Sequence, residues 1–223
     1  MSEPTRADFR AVIDPARLRA EYETRGLDAA DVDPDPVVQF RRWFDEAAAS
    51  AIVEPHAMTL STVDASGRPQ ARVVLLRGLD ERGFAFYTNR ESAKGHELAD
   101  APHAALTFAW LPLHRQVRVT GPVTELPDAA SDAYFALRPR GAQIGAWASA
   151  QSAVLPDRAA LDEAVARVRE GFGDGDIPRP PHWGGYAVKP EVVELWQGRP
   201  NRLHDRLRYR RDGGRWVVER LAP

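Results

Sequence analysis

The sequence predicts a mainly β fold with helical additions, of the α+β class, in which short strands close into a barrel. Between residues 57 and 126, apolar and β-branched runs are separated by turn sequences at 64–67 and 80–83, the spacing of hairpins. The helical segments lie between groups of strands and do not alternate with single strands, as they would around a parallel sheet. Since no repeat or heptad is visible, a solenoid and a coiled coil are not expected.

The chain begins with a polar, acidic stretch, residues 1–34, that contains one short helical piece, "PARLRAEYETRGL". The turn-rich sequence "DVDPDP" follows, and Asp35 with Pro36 forms a helix start. Val37, Phe40 and Phe44 then recur at helical spacing, which predicts an amphipathic helix. We therefore expect residues 1–34 to be a separate N-terminal segment and residues 35–223 to form a single domain.

The remaining elements are predicted in the same way. "AMTLSTVDASGRPQARVVLLRGLDERGFAFYTN" holds three strand-like runs, a short helix covers 92–100, and "AALTFAW" and "RQVRVTGPVTEL" resume the sheet. Pro127 begins a helix that continues through Tyr134, and Asp157 caps a later one with an apolar stripe ending at Phe172. "GGYAVKPEVVELWQG" and "RWVVERLA" are closing strands, and we expect Trp43, Phe44, Phe108 and Trp110 in the core.

Composition limits the function. The chain has 223 residues, 43% of them hydrophobic, which is enough for a sizeable core. The net charge of −2 provides no global field toward nucleic acid or an anionic membrane, so neither partner is expected. There is no cysteine, hence no disulfide and no thiolate nucleophile. The N-terminal sequence lacks a signal peptide's apolar core, and a cytoplasmic protein is expected.

Several common catalytic motifs are missing. No dinucleotide fingerprint, P-loop or nucleophile-elbow serine occurs, and no histidine pairs with a second ligand at metal-binding spacing, so we expect no metal. The remaining polar candidates are Arg, Gln, Tyr and Trp, none of them a strong nucleophile. A site made of such residues orients a cofactor that supplies the chemistry itself.

The stretch "LWQGRPNRLHDRLRYRR", residues 195–211, is unusually basic. If it is extended, Arg202, His204 and Arg206 share one face, because side chains alternate along a strand. A solvated edge strand explains such a row. So does a face turned toward an anion or a polar ring.

Seven motifs in order identify a resemblance that extends from about residue 18 to the C-terminus. They are "RVVLLR" (72–77), "FYTN" (86–89), "RQVRVTG" (115–121), "YFALRPRGAQIGAW" (134–147), "AQS" (150–152), "WGGY" (183–186) and "WQGRPNRLHDRLRY" (196–209). The chain thereby resembles the pyridoxine/pyridoxamine 5′-phosphate oxidase family. This resemblance implies an FMN-binding split β-barrel and a homodimer with FMN between the subunits, in which the C-terminal region serves dimerisation and substrate binding.

The resemblance also implies a set of FMN-binding residues. Arg72 and Lys94 are expected at the phosphate, which suits a dianion, and Arg206 beside the flavin ring. The complete set is Arg72, Val73, Val74, Leu75, Leu76, Arg77, Tyr87, Thr88, Lys94, Gln116, Gln151, Ser152, Trp196 and Arg206.

For the substrate, the resemblance implies Tyr134, Arg138 and Arg77 near a 5′-phosphate. Arg202 and His204 are expected over the ring as the catalytic residues, and Arg19 and Tyr22 in a mobile lid formed by residues 1–34. The implied activity is a pyridoxal 5′-phosphate synthase. It oxidises pyridoxamine or pyridoxine 5′-phosphate to pyridoxal 5′-phosphate with O2 and gives H2O2.

The chain departs from the family at three positions. Arg77 replaces a lysine and Ala142 a serine at the substrate phosphate, and Ala93 replaces an arginine at the FMN phosphate. The loss of a hydroxyl donor to a charged acceptor is worth roughly 1–3 kcal/mol. Two alternatives follow: a related oxidase acting on an unphosphorylated ring, as in phenazine biosynthesis, and a flavin- or pyridoxal-phosphate-binding protein without oxidase activity.

Overall fold

Ten strands and five helices make up the part of the chain that the computed structural model describes, residue 24 and residues 26–223. The helices are α1 (Pro36–Ala48), α2 (Ala93–Asp100), α3 (Asp128–Ala136), α4 (Arg140–Ala148) and α5 (Arg158–Phe172). The strands are β1 (Ala57–Val63), β2 (Pro69–Leu75), β3 (Gly78–Asp80), β4 (Gly83–Asn89), β5 (His103–Trp110), β6 (Arg115–Glu125), β7 (Trp183–Val188), β8 (Val192–Gln197), β9 (Asp205–Asp212) and β10 (Arg215–Leu221).

All strand pairs are antiparallel, and the long strand β6 joins the two parts of the sheet. One path runs in the order β10-β9-β8-β6-β5-β1-β2. The first part of β6 pairs with β8, and its last residues, 123–125, pair with β7, which in turn pairs with β4. The sheet therefore curls, and the predicted mainly β fold with helical additions is confirmed.

The main core fills the concave side of this sheet. Phe40 of α1 packs its ring 4.9 Å from those of Phe84 and Phe108, and Trp110 completes the aromatic cluster. Trp43, Phe108 and Trp110 are buried, and Phe44 packs against them, so the prediction that these four are core residues is confirmed. Alternation along β6, β8 and β9 turns apolar residues such as Val117 to the core and polar ones outward.

A second, smaller core lies under helices α3, α4 and α5. Phe135, Ile144 and Trp183 are buried there, with Phe172 of α5 packed against them. Because Trp183 belongs to β7, this core fastens the three helices to the sheet beside β4. The groove between the helices and the strands is where the candidate site lies.

The predicted helix starts are confirmed, and one helix was missed. The side chains of Asp35, Ser92 and Asp157 accept hydrogen bonds from the first turns of α1, α2 and α5. Helix α4 was not predicted, because its sequence "RGAQIGAWA" contains two glycines and no side-chain N-cap. Burial of Ile144 in the second core stabilises it instead.

No described helix is long and apolar enough to cross a membrane.

Candidate active site

A cleft of about 620 Å³ opens between β2, β4 and helices α2, α3 and α4. Most of the predicted site residues line it. From the predicted sets these are Arg72, Val73, Val74, Leu75, Arg77, Tyr87, Thr88, Lys94, Tyr134, Arg138, Gln151 and Ser152; Ala93, Pro139, Ala142 and Trp183 complete the lining. Segments far apart in sequence, residues 72–77 and 134–152, therefore meet at one place.

One end of the cleft is formed by the start of α2, where Lys94 stands in the first helical turn. Gly95 follows, and a Cβ at that position would lie 1.9 Å from the carbonyl oxygen of Arg90. Only glycine allows the helix to approach the preceding loop so closely. At the same end, the hydroxyl of Ser152 accepts a hydrogen bond from the backbone N–H of Ala93, at 3.2 Å.

Lys94 is a buried cation whose ammonium contacts hydroxyl groups. Its side chain donates to Thr88 Oγ1 at 3.2 Å and to Ser92 Oγ at 3.1 Å, and the residue is 8% exposed. Burial lowers the pKa of Lys94, and the positive charge of Arg72 lowers it further, while Glu97 opposes both. Thr88 in turn donates to Gln151 Oε1 at 3.0 Å, so these residues form one polar network.

Arg72 reaches the same end of the cleft from β2. Its Nη2 lies 2.7 Å from Glu97 Oε2 on α2, and its Nη1 donates to the hydroxyl of Thr62 on β1. The Thr62 hydroxyl also donates to Glu97. Neither Glu97 nor Thr62 was predicted, although the three-residue spacing of Lys94 and Glu97 places them on the same face of a helix.

The other end of the cleft is aromatic and carries a second cation. The ring of Tyr87 stacks on that of Tyr134, with centroids 4.2 Å apart, and on that of Trp183 at 5.3 Å. Arg138 lies over Trp183, 4.7 Å from the ring centroid, and donates to the carbonyl oxygen of Ala142 at 3.0 Å. Burial lowers the pKa of Arg138, which remains a guanidinium at neutral pH. Sequence reasoning gave Trp183 no role, although it lies in the motif "WGGY".

Five other predicted residues do not line this cleft. Gln116, Trp196 and Arg206 lie side by side on β6, β8 and β9, on the face of the sheet turned away from the core. Arg206 Nε donates to Glu194 Oε1 at 2.8 Å, and the ring of His204 lies 4.6 Å from that of Trp196. We call Gln116, Trp196, Arg202, His204 and Arg206 the outer row.

Arg202, His204 and Arg206 would share one face only if this stretch were extended, and the stretch is not a continuous strand. Strand β9 begins only at Asp205, and residues 200–202 form a 3₁₀ turn in which Asn201 and Arg202 have φ of 57° and 60°. His204 Nδ1 accepts a hydrogen bond from the backbone N–H of Arg199 at 3.1 Å. The neutral His204 ring therefore carries its hydrogen on Nε2.

Two groups of predicted residues fall elsewhere. Leu76 lines a neighbouring groove under α1, together with Arg77 and Tyr134, which belong to both sites. Arg19 and Tyr22 lie outside the described residues, as does most of the segment predicted as a lid. Within the described residues, no three His, Asp or Glu side chains cluster as metal ligands.

The sequence matches two profiles. Residues 44–171 match the pyridoxamine 5′-phosphate oxidase family, and residues 183–223 match the family's C-terminal dimerisation region. The pyridoxine/pyridoxamine 5′-phosphate oxidase 1 of Ralstonia nicotianae is 60% identical over 210 residues, covering 93% of this chain and 98% of that protein. The corresponding oxidase of Salinibacter ruber is 59% identical over 211 residues, with the same coverage.

The fold is also similar to those of solved structures. PhzG from Burkholderia lata, in complex with tetrahydrophenazine-1-carboxylic acid, has a TM-score of 0.85 at 31% identity and covers 92% of this chain and all of its own. A pyridoxamine 5′-phosphate oxidase-related, FMN-binding protein from Nostoc punctiforme shares the fold, with a TM-score of 0.65 at 21% identity, over 82% of this chain and 97% of its own. The predicted split-barrel fold is confirmed, and the chain belongs to the pyridoxamine 5′-phosphate oxidase family.

Proposed function

We propose that this protein is a homodimeric, FMN-dependent oxidase that converts pyridoxamine or pyridoxine 5′-phosphate to pyridoxal 5′-phosphate, with O2 reduced to H2O2. Family membership supports the oxidase class and FMN as the cofactor. The observation that carries the substrate assignment is that one cleft contains two separate cationic ends, Arg72 with Lys94 and Arg77 with Arg138. A phosphorylated cofactor and a phosphorylated substrate need two such ends.

The end formed by α2 fits the FMN phosphate. Lys94 is buried against hydroxyl groups, and an ammonium in that setting is stabilised by an incoming dianion. The first turn of α2 adds the positive end of a helix dipole. Thr88, Gln151 and Ser152 supply neutral hydrogen-bonding groups beside it. When bound, FMN supplies the two-electron oxidation, and the protein supplies its orientation.

The aromatic end fits the substrate phosphate. Arg138 lies over Trp183 and donates to the carbonyl oxygen of Ala142, two contacts that restrain its guanidinium, and Tyr134 lines the same cleft. Arg77 adds a second, more exposed positive charge. A guanidinium fixed in this way forms directional contacts with phosphate oxygens, which sets the distance of the substrate ring from the cofactor.

We propose that the outer row of one subunit completes the cleft of its partner. Gln116, Trp196 and Arg206 lie on the outward face of the sheet, and all residues of the outer row except Gln116 lie in the region that matches the family's dimerisation profile. Gln151 and Ser152 of the cleft are themselves exposed in one chain, as expected for residues that a second chain covers. Two chains would then form two equivalent sites by the same contacts.

His204 has a defined proton state for this role. Burial lowers its pKa, and the neighbouring charge of Arg202 acts in the same direction, so the ring is neutral at pH 7. With Nδ1 accepting from Arg199, the Nε2–H is a donor that can orient a polar substituent of the substrate ring. Arg202 supplies a fixed positive charge beside it and favours negative charge on a bound ring.

A second candidate is an oxidase that acts on an unphosphorylated ring such as a dihydrophenazine precursor. The observation in its favour is that Ala142, where the family has serine, lines the proposed phosphate end of the cleft. The similarity to PhzG supports the same alternative. Arg138 and Tyr134 support the phosphorylated substrate, because a half-buried guanidinium beside a tyrosine in the same cleft fits a dianionic phosphate.

A substrate panel separates these possibilities. The FMN-reconstituted protein is incubated with pyridoxamine and pyridoxine 5′-phosphates and with the unphosphorylated forms, and H2O2 and the aldehyde product are measured. We expect both products from the phosphorylated compounds, and a large loss of kcat/KM in Arg138→Met. Turnover of the unphosphorylated rings alone would favour the second candidate. Tight FMN binding with no H2O2 from any compound would identify a flavin carrier.

A further inference from the structure

A buried carboxylate stands behind the cationic end of the cleft. Glu97 on α2 is 10% exposed in its side chain and lies 2.7 Å from Arg72 Nη2, while the Arg72 side chain is 23% exposed. Thr62 on β1 bridges the two, since its hydroxyl contacts both Arg72 Nη1 and Glu97 Oε2. Three elements, α2, β1 and β2, are thereby joined at one guanidinium.

The hydrogen-bond roles in this triad are fixed by chemistry. A guanidinium only donates, so the Thr62 oxygen accepts from Arg72 and must direct its own hydrogen to Glu97. Glu97 Oε2 accepts both from Thr62 and from Arg72, as an ionised carboxylate does. Nη1 also donates to the carbonyl oxygen of Leu60 at 3.5 Å, so the contacts occupy Nη1 and one hydrogen of Nη2. The Nε hydrogen and the second Nη2 hydrogen form the opposite edge of the guanidinium.

We infer that Glu97 is a positioning residue for the cofactor phosphate: it holds one edge of Arg72 so that the other edge is presented to the cleft. The inference rests on the placement of the FMN phosphate at Arg72 and Lys94 proposed above. An arginine side chain has several rotatable bonds, and fixing it before binding removes an entropic cost that the ligand would otherwise meet.

Removal of the Glu97 charge also has an effect that would strengthen FMN binding. The cationic end gains one positive unit, which by itself attracts an anion more strongly. This attraction is screened by solvent and salt at the open cleft, whereas the loss of orientation acts directly on a charge-assisted contact. We therefore expect orientation to dominate. Glu91 is a matched control, because it is an exposed glutamate just before α2.

The test measures binding of FMN and of riboflavin, which lacks the phosphate, to the apoprotein by quenching of flavin fluorescence. Glu97→Gln removes the charge with little change in shape, and we expect it to weaken FMN about tenfold, the size of one charge-assisted hydrogen bond. Riboflavin affinity should be unchanged. Thr62→Val should act in the same direction with a smaller effect, and Glu91→Gln should leave FMN binding the same or slightly tighter.

The Arg72→Met variant completes a double-mutant cycle. If Glu97 acts through Arg72, Glu97→Gln should have little further effect on FMN in the Arg72→Met background. Equal losses for FMN and riboflavin, or additive losses in the cycle, would overturn the positioning role while leaving the cofactor site in place. If Arg72→Met itself leaves FMN binding unchanged, the phosphate placement fails, and the inference fails with it.

Discussion

The cleft and the outer row differ in how their positive charges are compensated. In the cleft, Lys94 contacts two hydroxyl groups, and Arg138 contacts a carbonyl oxygen and aromatic rings. Among the described residues, neither forms a salt bridge. On the outward face of the sheet, Arg206 pairs with Glu194 at 2.8 Å, and Arg208 pairs with Glu219 at 2.6 Å. Both regions are rich in arginine; among the described residues Lys94 and Arg138 of the cleft have no salt-bridge partner, whereas Arg72 of the cleft and Arg206 of the outer row are each paired with a glutamate.

This difference assigns the two regions different tasks. A buried cation without a carboxylate is costly in the free protein, and an anionic ligand relieves that cost. Arg206 of the outer row is already paired with Glu194 and has less to gain from an anion than Lys94 or Arg138. Arg72 in the cleft is also paired, with Glu97, so the argument applies to Lys94 and Arg138 alone. These contacts support the proposal that the cleft binds the anionic groups and that the outer row orients flat, polar rings.

The largest effect is expected at Lys94. Lys94→Met should weaken FMN by roughly 2–4 kcal/mol, because it removes a charge-assisted contact from a desolvated site. The same change should stabilise the apoprotein against thermal unfolding, because it removes a buried and uncompensated charge. Titration of apoprotein with FMN and a melting curve without FMN check the two parts. A loss of stability together with a loss of binding would mean that Lys94 is structural.

The next test asks whether the two regions act together across a dimer. Arg138→Met and His204→Ala should each abolish most of the activity. A heterodimer of the two, purified with two different tags, should recover about half of the wild-type activity per dimer, because one of its two sites then contains neither defect. A heterodimer of Arg138→Met with Tyr134→Phe is the matched control and should recover nothing. Failure of the first heterodimer to recover would place both regions in one chain's site.

A smaller, pH-dependent effect follows from the lowered pKa of Lys94. Bound phosphate favours the protonated amine, so FMN affinity should fall about tenfold per pH unit once the pH exceeds the lowered pKa, which lies below 10.5. In the same window the unfolded chain binds more protons than the folded apoprotein. The contribution of Lys94 to apoprotein stability should therefore rise with pH while FMN affinity falls.

Lys94→Arg is the control for this pH dependence, because arginine stays protonated throughout the range. The alkaline fall in FMN affinity seen in the wild type should be absent in this variant. An identical fall in both proteins would assign it to another group.

The positions of the strands and most helix starts could be predicted because they depend on local rules. Apolar, β-branched runs and the hairpin turns located the strands, and Asp35 and Asp157 located two helix starts through caps that are local in sequence. Helix α4 could not be predicted in this way, since its stability comes from tertiary burial of Ile144. The family resemblance brought together the segments of the cleft, which no local rule connects.

The backbone conformation around Arg202 could not be predicted from the sequence pattern. An extended row was predicted from strand alternation, but the left-handed conformations of Asn201 and Arg202 interrupt it before β9 begins. Asparagine favours that conformation and arginine does not, so the sequence gives only a weak signal. Likewise, the pairing of Arg206 with Glu194 depends on the register of β8 and β9, which is not visible in either strand alone.

The smallest effect concerns the end of the cleft that we propose for the substrate phosphate, where Ala142 stands in place of the serine implied by the family resemblance. Ala142 lines the cleft beside Arg138, and its carbonyl oxygen already accepts a hydrogen bond from that guanidinium. Ala142→Ser adds a hydroxyl donor at a position where the phosphate of pyridoxamine 5′-phosphate is expected. KM for that substrate should fall by up to about tenfold, since 1.4 kcal/mol corresponds to a factor of ten. FMN affinity should not change, because the added hydroxyl lies at the opposite end of the cleft from Lys94. A KM that stays flat for the phosphorylated substrate, with unphosphorylated rings preferred by both proteins, would show that the cation at this end binds a different anionic group.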